Sequence, residues 1–436
     1  MKPIIKQLLF LFILNLAFAF LIKGITNSFG LNSNEMALDQ TIHLFSGASN
    51  QDSWEPMSQA YDYWESLRGN ALIYTDLLIR DGIKFQYPPT ALLIPRLLKA
   101  ANISIFRFSI AIGFLFIFLT ITGAIGLTFY TYRDFKAARL STLEKIAVGI
   151  LITFLFFTFY PAVKAGTLGQ IQVWLNAVFT IAILCYITGY EIIAGILLGL
   201  MASIKPQYAL FVIWGVVRGN KKLVLAMIIT GSLGLLRGIH VFGLTTYLDY
   251  LRGLSYMANH GESYYPNQSF NGLAGRIFSI RHPDLFNNTN WLAHSFPPYN
   301  IWVATFTQIT SIAILIIALI KGKGQSQESR AADFCLMGLS ATMASPIAWE
   351  HHYGILFPIF IYLGMFFWFG NNPQKNSWAK ISFVACYLFA ANFIPFTKLL
   401  AGSYLNIFQS YLFFAACGVF ILLALVKHQF KFGVNT

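Results

Sequence analysis

The stretch EIIAGILLGLMASIKPQYALFVIWGVV, residues 191–217, decides how the whole chain is read. It is apolar almost throughout but is interrupted by Lys205-Pro206-Gln207. Proline removes a backbone donor and kinks a helix. Read as one rod, the stretch crosses a bilayer once. Read as two half-helices, it is a hairpin that returns to its starting side. The basic residues elsewhere choose between these readings. Arg133, Lys136, Arg139 and Lys145 sit in one short loop, and Arg218, Lys221 and Lys222 in the next. Lys321, Lys323 and Arg330 follow, then Lys375 and Lys380, then Lys427 and Lys431 in the tail. Short basic loops mark the cytoplasmic side of a membrane protein. With a hairpin at 191–217, every one of these loops shares a side with the N-terminus. With a single crossing, that agreement breaks.

Composition leads the same way. Of 436 residues, 56% are hydrophobic and only 11% are charged, against about 25% charged in a soluble domain. So few charges cannot cover a water-facing surface of this size, whereas lipid demands apolar side chains and internally bonded backbone. The net charge of +13 lies at the ends of apolar segments, which excludes the continuous basic stripe of a nucleic-acid binder. Cys185, Cys335, Cys386 and Cys417 are far apart within apolar runs and show no metal spacing. The first apolar run, about Leu8 to Ile22 after Lys2 and Lys6, reads as an uncleaved helix.

A bilayer core takes about 20 apolar residues per helix. The candidate spans are 8–27, 103–131, 144–163, 171–188, 223–243, 300–320, 332–346, 352–370, 380–397 and 405–426. The expected fold is therefore all-α: a single polytopic bundle over 1–436, with ten to twelve helical segments, half-helices and large loops away from the cytoplasm. Those loops are 28–102 and 244–299, joined by short turns at 164–170, 345–352 and 398–404. Loops of such length in a compact protein usually carry function. The stretch 90–99 reads as an amphipathic helix at the interface. No internal repeat is evident, which counts against an inverted-repeat transporter.

Most unusual polar residues fall on that far side. Asp52, Glu55, Asp62 and Glu65 stand in the first loop, and Lys84-Phe85-Gln86-Tyr87-Pro88-Pro89 closes it. Gly169-Gln170 lies at the mouth of a span, and Lys205 within the broken one. Tyr265-Pro-Asn267-Gln268-Ser269 leads to Arg276, and Ser345-Pro346 leads to Trp349-Glu350-His351-His352. Each has a plain structural reading. The acidic residues can be solvated carboxylates. Lys205 can snorkel from a helix end. Arg276 can pair with Glu262 or Asp284. Gln170 and Asn267 can cap helices. Tyr264, Tyr265, Trp291 and Trp349 can form an interfacial belt. Tyr87 with its double proline is a turn. Adjacent histidines point in different directions, so no metal is expected at His351 and His352.

Taken in order, these pieces resemble glycosyltransferase family 87, polyprenyl-phosphate-sugar-dependent mannosyltransferases of GT-C type. The resemblance rests on Asp52, Phe85-Gln86-Tyr87-Pro88-Pro89, Gly169-Gln170 and Ala194-Gly195…Gly199…Lys205-Pro206. Asn267-Gln268-Ser269…Arg276 and Ser345-Pro346…Trp349-Glu350-His351-His352 complete it. The family's acidic residue often stands in an Asp-x-x-x-Tyr pattern, from which this chain departs with Trp54 and Met57 after Asp52.

The resemblance implies a membrane hexosyltransferase. It would move a sugar, mannose first, from a polyprenyl-phosphate donor to a lipid-linked or surface glycan acceptor, inverting the anomeric centre. No cofactor, metal or nucleic acid is called for; the partners are donor lipid, acceptor and bilayer. Asp52 would be the general base. Lys205, Arg276, His351 and His352 would hold the donor phosphate, and Tyr87, Gln170, Asn267, Gln268, Trp349 and Glu350 the substrates. A bacterial inner membrane, with both termini cytoplasmic and the site outside, fits the implied family. The rival readings are a lipid-carrier flippase or secondary transporter, and a lipid-linked glycan polymerase or ligase.

Overall fold

In the computed structural model the residues described are 2–47, 51–67, 71–136, 139–278, 296–322, 326–370, 377–401 and 403–428. Asp284, Trp291, Lys323, Lys375 and Lys431, named above, lie outside them. Helix α1 (Pro3–Ser28) leads into α2 (Ala37–Phe45), α3 (Trp54–Ser66) and, beyond a π-helical turn Tyr74–Arg80, α4 (Leu93–Ala100). The long α5 (Ile105–Lys136) precedes α6 (Thr142–Phe157), α7 (Tyr160–Thr167) and α8 (Gln172–Ile187). Next come α9 (Glu191–Ile204), α10 (Leu210–Val217) and α11 (Lys221–Phe242). After α12 (Leu244–His260) and α13 (Phe270–Phe278) the chain runs through α14 (Ile301–Leu319), α15 (Gln327–Met343) and α16 (Leu356–Phe369). It closes with α17 (Ser377–Ala391) and α18 (Tyr411–His428). No strand occurs among the described residues; one isolated antiparallel bridge joins Asn267 and Trp349.

Among the described residues, six of these helical stretches are long and apolar enough to cross a membrane, and the bent pair α6–α7 is either a broken seventh span or a re-entrant segment. α8, α9, α17 and the stretch Pro206–Val217 are shorter apolar helices. On α11 the side chains of Leu225, Ile229, Leu233 and Leu236 are all more than half exposed. Their spacing puts them on one face. A water-soluble bundle turns such a stripe inward; here it faces out, as lipid requires. At the other extreme, every side chain of α15 from Ala331 to Met343 is buried, so α15 runs through the centre.

The break at Lys205 makes a hairpin. At one end, Glu191 of α9 pairs with Arg330 at 3.3 Å. At the other, Arg218 after α10 meets Asp333 at 2.5 Å. Arg330 and Asp333 both lie in the first turns of α15, so the two ends of the stretch return to one level. Lys205 itself reaches the opposite end, where its Nζ donates to Gln172 Oε1 at the start of α8 (2.8 Å). Gly195 and Gly199 let α9 lie directly on α11: a Cβ at Gly195 would collide with the Leu223 carbonyl, and one at Gly199 with Thr230. Small residues four apart are the usual device for such close approach in lipid.

The same end of the bundle collects the basic loops. Lys427 joins Asp333 (2.9 Å), Ser329 Oγ donates to the Lys427 carbonyl, and Gln327 donates to Ile187 O (2.8 Å). Lys2 lies within electrostatic range of Glu144. The N-terminus, the starts of α6, α9, α11 and α15, and the end of α18 therefore share one face. The two long loops fold against each other on the opposite face. There the carboxylate of Asp249 accepts from the amides of Tyr74 (2.7 Å) and Thr75 (3.3 Å) and from the Thr75 hydroxyl (2.5 Å).

Candidate active site

α6 and α7 meet at a bend of 66°, with Pro161 in the first turn of α7. Proline is at home there because its missing N–H would be unbonded anyway. The bend swings the segment 160–171 across the far face, where it touches both halves of the site.

On one side stands Asp52. Its backbone N–H donates to Leu168 O (2.9 Å), and its side chain is hydrogen-bonded by Gln170. Gln170 is held by its other end, because Oε1 accepts from Ser53 Oγ (2.7 Å) and from the Tyr87 hydroxyl (3.3 Å). Ser53 in turn accepts from the Ile171 amide (3.0 Å). With its oxygen occupied, Gln170 turns its NH₂ group to the carboxylate. Burial raises the Asp52 pKa to about 6, offset in part by Gln170 and the charge of Lys164, while Glu55 adds to the rise. Burial likewise raises the Tyr87 phenol. The competing carboxylates differ: Asp62 and Glu65 face water and share Lys99 at 3.0 and 2.6 Å, and Glu55 is exposed.

Beside this cluster a shallow groove runs along α5, lined by Ser109, Gly113, Trp54, Gly166, Gly169 and Trp174 among others. No atom would meet a Cβ at Gly113, so the groove is open on that flank. Gln170 belongs to both the groove and the Asp52 cluster.

On the other side stands the 345–355 segment. The Glu350 amide donates to Pro266 O (2.9 Å), and Glu350 Oε2 accepts from the Tyr160 hydroxyl (3.3 Å). Glu350 Oε1 is buried and makes no close hydrogen bond among the described residues, with the Tyr411 hydroxyl the nearby donor to this carboxylate. The His351 and His352 rings meet edge to face with centroids 4.6 Å apart, and His352 Nδ1 accepts from the Trp349 amide (3.2 Å). Gln172, which holds Lys205, donates to His352 O (3.4 Å) and Asn176 Oδ1 (3.0 Å). Trp349 donates to Glu262 (2.5 Å), whose other oxygen accepts from Lys84 (2.5 Å). Among the described residues no three His, Cys, Asp or Glu side chains gather as a metal site.

Asn267, Gln268 and Arg276 lie beneath as stitching. Asn267 donates to Glu262 O and Pro346 O and accepts from the Ala348 amide. Gln268 bridges Tyr265 O, Gln409 O and the Phe413 amide. Arg276, fully buried, donates to Ser410 Oγ (2.5 Å) and Tyr264 O (3.2 Å). Glu262, offered above as its ion-pair partner, pairs instead with Lys84. Burial lowers the Arg276 pKa and Glu350 pulls it back; a guanidinium stays charged at any physiological pH.

Thus Asp52, Tyr87 and Gln170 form one group, and Lys205, Trp349, Glu350, His351 and His352 a second. Asn267, Gln268 and Arg276 brace the latter. Lys164 was not singled out by the sequence. It lies within electrostatic range of Asp52, Glu350 and His351, and so joins the groups. Its signal was a lysine in an otherwise uncharged segment, as at Lys205.

The family model of glycosyltransferase family 87 matches residues 85–346. That span holds Tyr87, Gln170, Lys205, Asn267, Gln268 and Arg276, starts after Asp52 and stops before Trp349. No curated protein and no solved structure matches the chain. The family match covers well over half of the chain, and the chain belongs to glycosyltransferase family 87, as a membrane glycosyltransferase.

Proposed function

We propose that this enzyme transfers a hexose, mannose as first choice, from a polyprenyl-phosphate carrier to a lipid-linked or surface glycan acceptor. The observation that carries the reading is Asp52: a carboxylate held by Gln170, half withdrawn from water, at the end of an apolar groove. A base with a pKa near 6 is ionised at neutral pH and basic enough to take a hydroxyl proton as the bond forms. The acceptor oxygen attacks C1 of the sugar from the face opposite the phosphate. The C1–O bond to the phosphate breaks, the proton passes to Asp52, and polyprenyl phosphate leaves. One displacement inverts the anomeric centre.

The groove along α5 suits the prenyl chain, being apolar and open toward the bilayer. Lys205, His351 and His352 lie on the side where the phosphate would depart, with Arg276 behind them. Trp349 and Tyr87 offer flat faces to a sugar. The basic face is cytoplasmic on this reading, and the site opens to the outside of a bacterial inner membrane, with lipid-carried sugars as its donors.

The test uses purified protein in detergent, labelled polyprenyl-phosphate mannose and an extract of lipid-linked glycans. The expected result is extension of an acceptor by one labelled sugar with release of polyprenyl phosphate in equal amount. Movement of intact donor across a vesicle membrane without cleavage would make the protein a carrier-lipid flippase. Transfer of whole preassembled glycans would make it a ligase.

A further inference from the structure

Resting on that proposed function, we infer that Lys164 is the residue whose ammonium receives the departing phosphate. Four observations converge on it.

First comes its position. Tyr160 and Lys164 stand one turn apart on α7 and so share a face. Tyr160 bonds to Glu350, which fixes where that face looks. The next residues, Leu168 and Gln170, bond to Asp52. In the chain Lys164 stands between the residue that bonds Glu350 and those that bond Asp52, and it lies within electrostatic range of both carboxylates.

Second is its lack of commitment. Among the described residues the Lys164 ammonium makes no hydrogen bond and no ion pair. The other cations around the site are engaged: Lys205 by Gln172, Lys84 by Glu262, Lys398 by Glu35 and Arg276 by Ser410. An ammonium that only balanced Asp52 or Glu350 would gain most by touching one of them. Lys164 touches neither, although it lies within electrostatic range of both and of His351.

Third is continuity with the groove. Gly166, Gly169 and Gln170 of the same segment line it. A lipid lying there brings its head group to the turn of chain that carries Lys164.

Fourth is the unsatisfied neighbour. Glu350 Oε1 is buried and makes no close hydrogen bond among the described residues, although the Tyr411 hydroxyl is near the carboxylate. It can accept from a sugar hydroxyl placed beside a phosphate on Lys164. Together these groups accommodate both parts of a phospho-sugar: a cation for the phosphate and an acceptor for the hydroxyls.

The probe is polyprenyl monophosphate, the product that leaves. Its affinity is measured with Lys164→Met and Lys164→Arg alongside wild type, and the KM for each substrate is determined. Losing a charged hydrogen bond to phosphate corresponds to about 10- to 100-fold. K164M is expected to lose that much probe affinity and to raise the donor KM similarly, with the acceptor KM within about twofold. K164R, which keeps the charge, is expected to recover most of the binding. Equal probe affinity in wild type and K164M overturns the assignment and leaves the proposed function standing. So does a K164M whose only change is an acid limb moved to higher pH, because that marks a charge that merely balances Asp52. A wild-type protein that neither binds the probe nor uses the donor overturns both. Should K164M fail to fold, Lys164→Gln carries the same comparison.

Discussion

Two clusters of charge lie at opposite ends of the bundle, and they are built differently. At the basic face, Arg218, Asp333 and Lys427 are nearly or wholly buried. Asp333 accepts from both cations and from the Trp214 indole, and the spare donors of Arg218 and Lys427 go to the carbonyls that end α14. Every charge there has protein partners, and four helical segments are tied together. At the far face, Lys164 lies in electrostatic range of both Asp52 and Glu350 without a direct ion pair to either among the described residues. Burying a charge is costly unless it is paired and hydrogen-bonded. The first cluster meets that condition with the protein's own atoms. The second meets it in part, and on the proposed function a phospho-sugar supplies the remainder. The contrast is between charges satisfied by the protein's own atoms and charges that the proposed function assigns to a ligand.

Asp52→Asn breaks the comparison most sharply. Transfer is expected to fall about 10²- to 10⁴-fold, the usual contribution of a general base, measured as labelled sugar incorporated per folded molecule. Stability is expected to move the other way. A carboxyl whose folded pKa is raised from 3.8 to about 6 stabilises the fold below pH 3.8, and that contribution is lost as pH rises through 6. At pH 7 the amide is therefore expected to gain up to about 3 kcal/mol, read as a higher melting temperature in detergent. Near-normal transfer by the variant would move the base elsewhere, with Glu350 next in line.

Asp333→Ala tests the other pole. It leaves two buried cations without their anion, a loss of about 3–5 kcal/mol. The measurement is the melting temperature and the monodisperse yield. Turnover per folded molecule is expected to hold, since the cluster lies at the opposite end of the bundle from the candidate site. A stability unchanged by this substitution would show that the ion cluster is dispensable.

The smallest effect sharpens the comparison. Gln170 holds the Asp52 pKa down, so Gln170→Ala is expected to push it further up. Activity, which requires the ionised base, is then lost at higher pH: the acid limb of kcat/KM moves from about 6 by roughly half a unit to one unit, the order of a single neutral hydrogen bond. An unmoved acid limb would assign that limb to another group.

Much of this was legible in the chain. The hairpin at 191–217 announced itself because a lysine followed by a proline, set inside an apolar run, both breaks the helix and brings a charge that must reach the membrane surface or a polar partner. The common face of the basic loops followed from counting crossings. The site was legible by motif and less so by arrangement. The run 144–163 reads as one straight span, because a stretch of apolar residues records hydrophobicity and not direction. Pro161 was its only mark, and the bend it begins carries Lys164 to the carboxylates. Asn267, Gln268 and Arg276 read as ligand groups because polar side chains near a membrane usually have a purpose. Their purpose here includes bonding the irregular backbone of 345–350 and 404–413, whose amides and carbonyls have no helix to satisfy them. Gly195 and Gly199 belonged to a family pattern; contact with α11 supplies the physical reason.

The clasp between the two far-side loops bears on how the protein is made. Asp249 accepts from Tyr74 across 175 positions, and Glu262 accepts from Lys84 across 178. At a synthesis rate of about 5–20 residues per second, the first loop waits roughly 10–35 s before its counterparts emerge. Trp349 and Glu350 arrive later still. The first loop is thus made long before it can be locked, and a nascent chain halted before α12 carries it complete with neither clasp partner to close against.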